Sequence, residues 1–322
     1  MNTAAKLSAY GAALALVAGG GWAIGTAVGP FAGQAAVAAT GTPGGEDTGH
    51  GDTHRGTVAE AVPGPAEPDQ PGGLASSRGG YTLTPTATTI GPGEDQPFSF
   101  TITGQDGKPV TAFDVEHEKR MHLIVVRRDT SGFQHVHPEL GQDGVWRVAL
   151  DVARGGSYRV FADFKPTGGE ALTLGTDLAV PGAFEPESHQ PSRESIVDGY
   201  RVRLDGDLVP GRSSKVTLTV DRDGVPVTDL QPYLGAYGHL VALRGGDLAY
   251  LHVHPEGTPG DGVTAAGPSV TFFAEVPTAG TYRLFLDFQH GGTVRTAEFT
   301  VATAGTQVAA EPEPHAADGH GH

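Results

Sequence analysis

The pentapeptide HVHPE occurs twice, at His135–Glu139 and at His252–Glu256. In each case another histidine opens an apolar run upstream: His122 in HLIVV and His239 in HLVAL. Side chains alternate faces on a β-strand, so His135 and His137 share a face, with Cα atoms about 7 Å apart. His122 is an odd number of residues from both. A hairpin with an even-numbered loop therefore puts it on the same face, opposite one of them. The pattern predicts two groups of converging imidazoles: His122, His135 and His137, then His239, His252 and His254. Neutral imidazole nitrogen suits Cu(II), Zn(II) and Ni(II). Three such donors on a rigid hairpin leave a fourth position for water, a carboxylate or a backbone group. Glu139, Asp163, Glu256 and Asp287 are candidate ligands, or candidate outer partners that fix an imidazole tautomer by accepting its other N–H. His290 follows Asp287 only in the second copy and joins that outer set; His117 occurs only in the first copy. Met121 precedes His122 and faces the other way. Without a metal, the same residues read as a hydrogen-bonded histidine–carboxylate network at a sandwich rim, with Pro138 and Pro255 ending the strands.

The repeat extends well beyond the pentapeptide. GKPVT (107–111) matches GVPVT (224–228), and GGSYRVFADF (155–164) matches AGTYRLFLDF (279–288). Thr111 to His122 is the same distance as Thr228 to His239, and the main length difference is the Gly/Pro-rich 257–267 piece of the second copy. Spacing held over such a stretch marks a duplicated domain. Within each copy, PFSFTIT and KVTLTV alternate apolar and polar residues and are followed by the turn signals GQDGKP and DRDGVP. The expectation is an all-β protein: two tandem immunoglobulin-like or cupredoxin-like sandwiches after an N-terminal helix. The boundaries read as an anchor or signal segment at 1–38, a flexible linker at 39–80, the first repeat at 81–181, a linker at 182–197, the second repeat at 198–303 and a histidine-containing tail at 304–322.

The chain has 322 residues, a net charge of −16 and no cysteine. Such an acidic balance opposes nucleic-acid binding, which begins with phosphate neutralisation. The lack of cysteine excludes disulfides, thiolate metal sites and cysteine nucleophiles. Lys6 precedes an apolar run from Leu7 to about Val28, and no Lys or Arg follows until Arg55. That asymmetry orients the chain with its bulk on the extracytoplasmic side of the membrane. The run is long enough for a single span, while AVA at 36–38 fits signal cleavage and secretion. Histidines recur in GHGDTH (49–54) and in HAADGHGH (315–322), as in weak flexible metal collectors. GxSxG, HExxH, a P-loop and a dinucleotide fingerprint are all absent, so a non-enzyme is expected.

MHLIVVRRDTSGFQHVHPE with DGVWRVALDVARGGSYRVFADF, and DLQPYLGAYGHLVAL with AYLHVHPEG, carry a further likeness. They resemble a group of exported bacterial β-sandwich domains with an HL…HxHPE…YRLFxDF signature, related to FixH/YtkA-like periplasmic domains and more loosely to periplasmic copper-resistance sandwich proteins. The resemblance implies metal homeostasis, copper above all. The chain lacks the Met-rich loops of the copper-resistance sandwiches. The expected function is therefore a membrane-anchored extracytoplasmic protein that buffers or delivers copper or zinc. The alternative is an envelope interaction module with a protein partner, in which the histidines are structural. The oligomeric state stays open.

Overall fold

The computed structural model describes residues 70–303 other than residue 252. The expected N-terminal helix, most of the 39–80 linker, the 304–322 tail and His252 lie outside the described residues. Among the described residues no helix is long and apolar enough to cross a membrane.

The first repeat contributes β1 (Ser77–Arg78), β2 (Tyr81–Pro85), β3 (Gln96–Thr103), β4 (His122–Arg127), β5 (Gln134–Val136), β6 (Glu139–Leu140), β7 (Trp146–Leu150), β8 (Gly156–Phe164) and β9 (Leu172–Val180). The second contributes β10 (Glu194–Val197), β11 (Tyr200–Asp205), β12 (Arg212–Arg222), β13 (Val225–Pro226), β14 (His239–Arg244), β15 (Tyr250–Leu251), β16 (Val253–Pro255), β17 (Ser269–Val276), β18 (Thr281–His290) and β19 (Thr293–Ala302). Each repeat is a sandwich of two antiparallel sheets. In the first, β1-β2-β3-β7-β6 packs against β5-β4-β8-β9; in the second, β10-β11-β12-β17-β16 packs against β15-β14-β18-β19. This is the strand order of an immunoglobulin-type sandwich. Both copies also carry the tyrosine corner of that fold, with Tyr158 donating to Arg154 O at 2.8 Å and Tyr282 to Thr278 O at 2.6 Å.

Alternation in the sequence sets the two inner cores. In β3, Phe98, Phe100 and Ile102 point inward, and in β12, Val216, Leu218 and Val220 do the same. Strand β4 breaks that rule: all six residues of HLIVVR are buried. Both of its faces are covered, as in a strand sandwiched between layers. Leu123 and Val125 enter the first repeat's core. Ile124 and Val126 turn outward and join Phe161, Val241, Leu243, Leu248 and Phe285 in a third core between the repeats. There Phe133 stacks on Phe285 with ring centroids 4.1 Å apart, and Tyr250 meets Phe161 at 5.7 Å. The repeat alignment equates Phe133 with Tyr250 and Phe161 with Phe285. The two contacts are therefore the same contact made twice about a pseudo-twofold axis, the pattern of an isologous interface.

Both expected linkers are partly built into this arrangement. Gly73 lies so close to Phe161 that a Cβ would not fit, and Arg159 donates to the carbonyls of Gly73 and Leu74. The N–H of Tyr250 donates to Gly72 O at 2.9 Å. The segment expected to be a tether up to residue 80 is thus folded from about Gly72 onward. In the 182–197 segment, Arg127 donates to Glu185 O at 2.9 Å and Glu187 N–H donates to Asp129 at 2.8 Å. Its last residues form β10.

Replacing Phe285 with Ala should cost about 3–5 kcal/mol of stability, the range for a buried aromatic whose cavity cannot collapse. Ile196→Ala, at a side chain 70% exposed, should stay within about 0.5 kcal/mol. Urea unfolding of the two variants against wild type checks the contrast.

Candidate metal centre between the repeats

The interface core ends in polar groups. His122 pairs in register with Asp163 across β4 and β8, and His239 pairs with Asp287 across β14 and β18. Residues directly opposite in an antiparallel pair share a face, so all four stand on the faces that bury Ile124, Phe161, Val241 and Phe285. The hairpin register, Leu123 with Val136 and Ile124 with His135, puts His135 on that face as well. The predicted convergence of the first group is present. One nitrogen from each of His122, His135 and His137 lies within 4.8 Å of the other two. The rings sit 4.9–5.3 Å apart between centroids.

The hydrogen bonds around this triad fix its tautomers. His122 Nε2 lies 3.0 Å from the carbonyl oxygen of Glu116. A carbonyl only accepts, so Nε2 carries the proton and a neutral His122 keeps its lone pair on Nδ1. His135 Nδ1 lies 2.8 Å from Asp287 Oδ2, and the other oxygen of that carboxylate accepts from Thr296 Oγ1 at 2.6 Å. His135 therefore donates through Nδ1 and keeps its lone pair on Nε2. These two lone-pair nitrogens face each other at 3.0 Å. Between neutral rings that contact has no hydrogen to share, and only a cation placed there relieves it: a metal ion, or an extra proton. His137 adds a third donor, since its Nε2 is buried with no hydrogen-bond partner.

The donor set fits a borderline metal ion, with three imidazoles, no thiolate and an anion in the outer layer. The outer partners are of the type that orients metal-bound histidine, a carbonyl for His122 and a carboxylate for His135. That carboxylate comes from the other repeat. The centre is a property of the docked pair, where the sequence had placed one complete site in each copy.

The second group is arranged differently. His239 is in the interface, its Nε2 donating to Leu234 O at 3.0 Å. His254 is exposed and pairs with Phe273 of β17, because the chain crosses to the outer sheet between β15 and β16. Of the expected outer partners, Asp287 touches His135. Asp163 accepts from Thr173 at 2.9 Å and from the hydroxyl of Tyr250. Glu139 is exposed on β6, and Glu256 is exposed and paired with Lys215 at 3.0 Å on the outer sheet. His290 is three residues from Asp287, so it faces the opposite side of β18, where its Nδ1 meets Tyr200 at 2.7 Å. Glu139, Glu256 and His290 are thus placed away from the triad. Two aromatic neighbours are additions: Tyr250 on Asp163, and Tyr233, whose ring lies 6.4 Å from His137. Alignment of Tyr250 with Phe133 was the available signal for the first.

Burial pushes the His122 imidazole down to about 3, against the opposing pull of its Glu116 hydrogen bond, and neighbouring imidazoles push the same way. Burial likewise lowers His137 and His239 to about 4. The rings stay neutral, the form that ligates metal, well below the pH of about 6 at which exposed imidazoles protonate. Burial raises Asp163 to about 6, with the Thr173 hydrogen bond opposing. For a histidine lowered on folding, the unfolded chain takes up a proton below about 6.5 that the folded chain refuses. Stability is therefore lost as pH falls from about 6.5 towards 4. Asp163 acts oppositely over part of that range, one carboxyl against three imidazoles. Urea unfolding of metal-free protein should show a net fall in stability from pH 7 to pH 4.5, on the order of a few kcal/mol, and His122→Phe should shrink it.

Comparison with known proteins bears on the fold. No curated protein matches the chain. Among solved structures, the Escherichia coli adhesin FdeC superposes at 14% identity with a TM-score of 0.23, covering 71% of this chain and 65% of FdeC. Yersinia pseudotuberculosis InvD superposes at 15% identity and 0.23, covering 73% of this chain and 62% of InvD. The chain thus spans just under two thirds of each, and superpositions this loose transfer no activity; the sandwich assignment stands on strand order and register. Both repeats, over residues 76–182 and 195–305, match one family, and the chain belongs to it: the family described as "Domain of unknown function (DUF8832)".

Proposed function

We propose that this protein is a non-catalytic extracytoplasmic metal-binding protein, membrane-anchored or secreted, that holds copper or zinc among His122, His135 and His137. The observation that carries the reading is the 3.0 Å contact between His122 Nδ1 and His135 Nε2. Outer hydrogen bonds assign a lone pair to both atoms, and a buried His137 Nε2 without a partner stands beside them. When bound, the ion would accept three neutral nitrogens and keep a position for an exchangeable ligand. The chain's part is to hold the rings in one tautomer, to exclude water from their backs and to supply the Asp287 charge. Such a site suits buffering or delivery outside the cytoplasm, and the acidic chain favours cation approach.

A second reading keeps the same contacts with a proton in place of the ion. A doubly protonated His135 would form an ion pair with Asp287 and donate to His122 Nδ1, closing a network that pins the repeats together. The protein would then be an envelope interaction module with structural histidines. What favours this reading is that Asp287 comes from the other repeat, so the network already has a docking role.

The full chain, titrated separately with Cu(II) and Zn(II), should hold an ion at the triad far more tightly than free imidazole does. His135→Ala should abolish that site, and Asp287→Asn should weaken it about 10–100-fold, as loss of an outer partner does. Affinities unchanged in both variants would move any metal binding to the histidine-rich ends and leave the proton-held network as the function of the triad.

A further inference from the structure

We infer that a second metal position lies in the same cavity, held by His239 of the second repeat and His117 of the first, making a five-imidazole centre for two ions shared between the repeats. The inference rests on the three-histidine reading above. Its first support is that His239 is set by the same device as His122. Its Nε2 donates to a carbonyl upstream, Leu234 O at 3.0 Å, just as His122 donates to Glu116 O at 3.0 Å. The remaining nitrogen, Nδ1, is then the lone-pair atom.

His239 is adjacent to the triad without being part of it. Its ring centroid is 6.5 Å from His122 and 6.2 Å from His135, against 4.9–5.3 Å within the triad. Among the described residues, the imidazole nearest to it is His117, edge-on at 5.2 Å. His117 reaches there from the tip of a two-residue turn closed by Glu116 and Lys119, whose backbones exchange hydrogen bonds of 2.8 and 3.0 Å. Both tip residues have left-handed backbones, His117 at φ 46° and Glu118 at φ 64°. Such tips are ordinarily built from Asn and Gly. The equivalent tip in the second repeat is Leu234 and Gly235, at φ 53° and 77°. The turn itself needs no imidazole, yet the first repeat spends a strained position on one, and strain of this kind collects at functional sites.

The surroundings supply what two imidazoles lack. His117, His122, His135, His239, Asp163 and Tyr250 line one cavity of about 340 Å³. Asp163 lines the same cavity and adds a carboxylate to it. Two neutral nitrogens completed by water, with that carboxylate in the surroundings, suit Zn(II) or Cu(II).

The test is a count of tightly held Zn(II) in the full chain and in His117→Asn, His239→Ala and His135→Ala, by metal analysis after dialysis against a weak competing chelator. All variants keep the histidine-rich ends, so differences between them read the cavity alone. Asn tolerates a left-handed backbone, and unfolding curves confirm that each variant is folded. His117→Asn and His239→Ala should each hold one ion fewer than wild type, and His135→Ala with His239→Ala two fewer. Wild-type counts in both His117→Asn and His239→Ala, with an ion lost in His135→Ala, would overturn the second position and leave the triad. A loss in His239→Ala but not in His117→Asn would overturn the pairing stated here. No loss in any variant would overturn both readings.

Discussion

Packing of one sandwich's inner sheet against the other's is the constraint on which the rest depends. The apolar faces of β4–β8 and β14–β18 cannot both be covered by their own cores. Ile124, Val126 and Phe161 from one repeat therefore close over Val241, Leu243, Leu248 and Phe285 from the other. At about 25 cal/mol per Å² of apolar surface removed from water, covering seven such side chains is a large part of what holds the pair together. Once this face is shut, its polar rim is shut with it. His122, His135, His137 and His239 become desolvated, and Asp287 is brought to a histidine of the other repeat.

Desolvation changes what the histidines can do. An exposed imidazole would change charge near neutrality; those buried at this rim stay neutral much lower. Backbone carbonyls and a carboxylate then select which nitrogen bears the proton. The result is an array of lone pairs with fixed directions, costly to leave without a cation and ready for one. The same closure that stabilises the pair of sandwiches therefore prepares the centre.

Duplication with divergence explains the asymmetry. The two copies share the Tyr–Phe–Asp strand, the left-handed turn and the opening histidine. They differ in where the chain crosses between sheets after the hairpin: β5 stays on the inner sheet through Val136, whereas β16 has joined the outer sheet by Val253. His137 is thereby kept in the triad, while His254 is carried onto the outer sheet and exposed. They differ also at the turn tip, where His117 stands against Leu234.

The sequence by itself determined the all-β class, the duplication, the strand faces and the parity that puts His122, His135 and His137 together, because β alternation is local and survives any packing. It also carries a sign of the interface, in that HLIVVR and HLVALR do not alternate as one-sided strands do. Only the tertiary structure decided that Asp287 serves His135 of the other repeat, that Glu139, Glu256 and His290 stand elsewhere, and that Gly72 to Arg78 belongs to the fold rather than to a tether. Those outcomes depend on which face meets which across the pseudo-twofold axis, and on the residue at which a strand changes sheets. Both are settled by the packing of many side chains at once, and no local pattern encodes them.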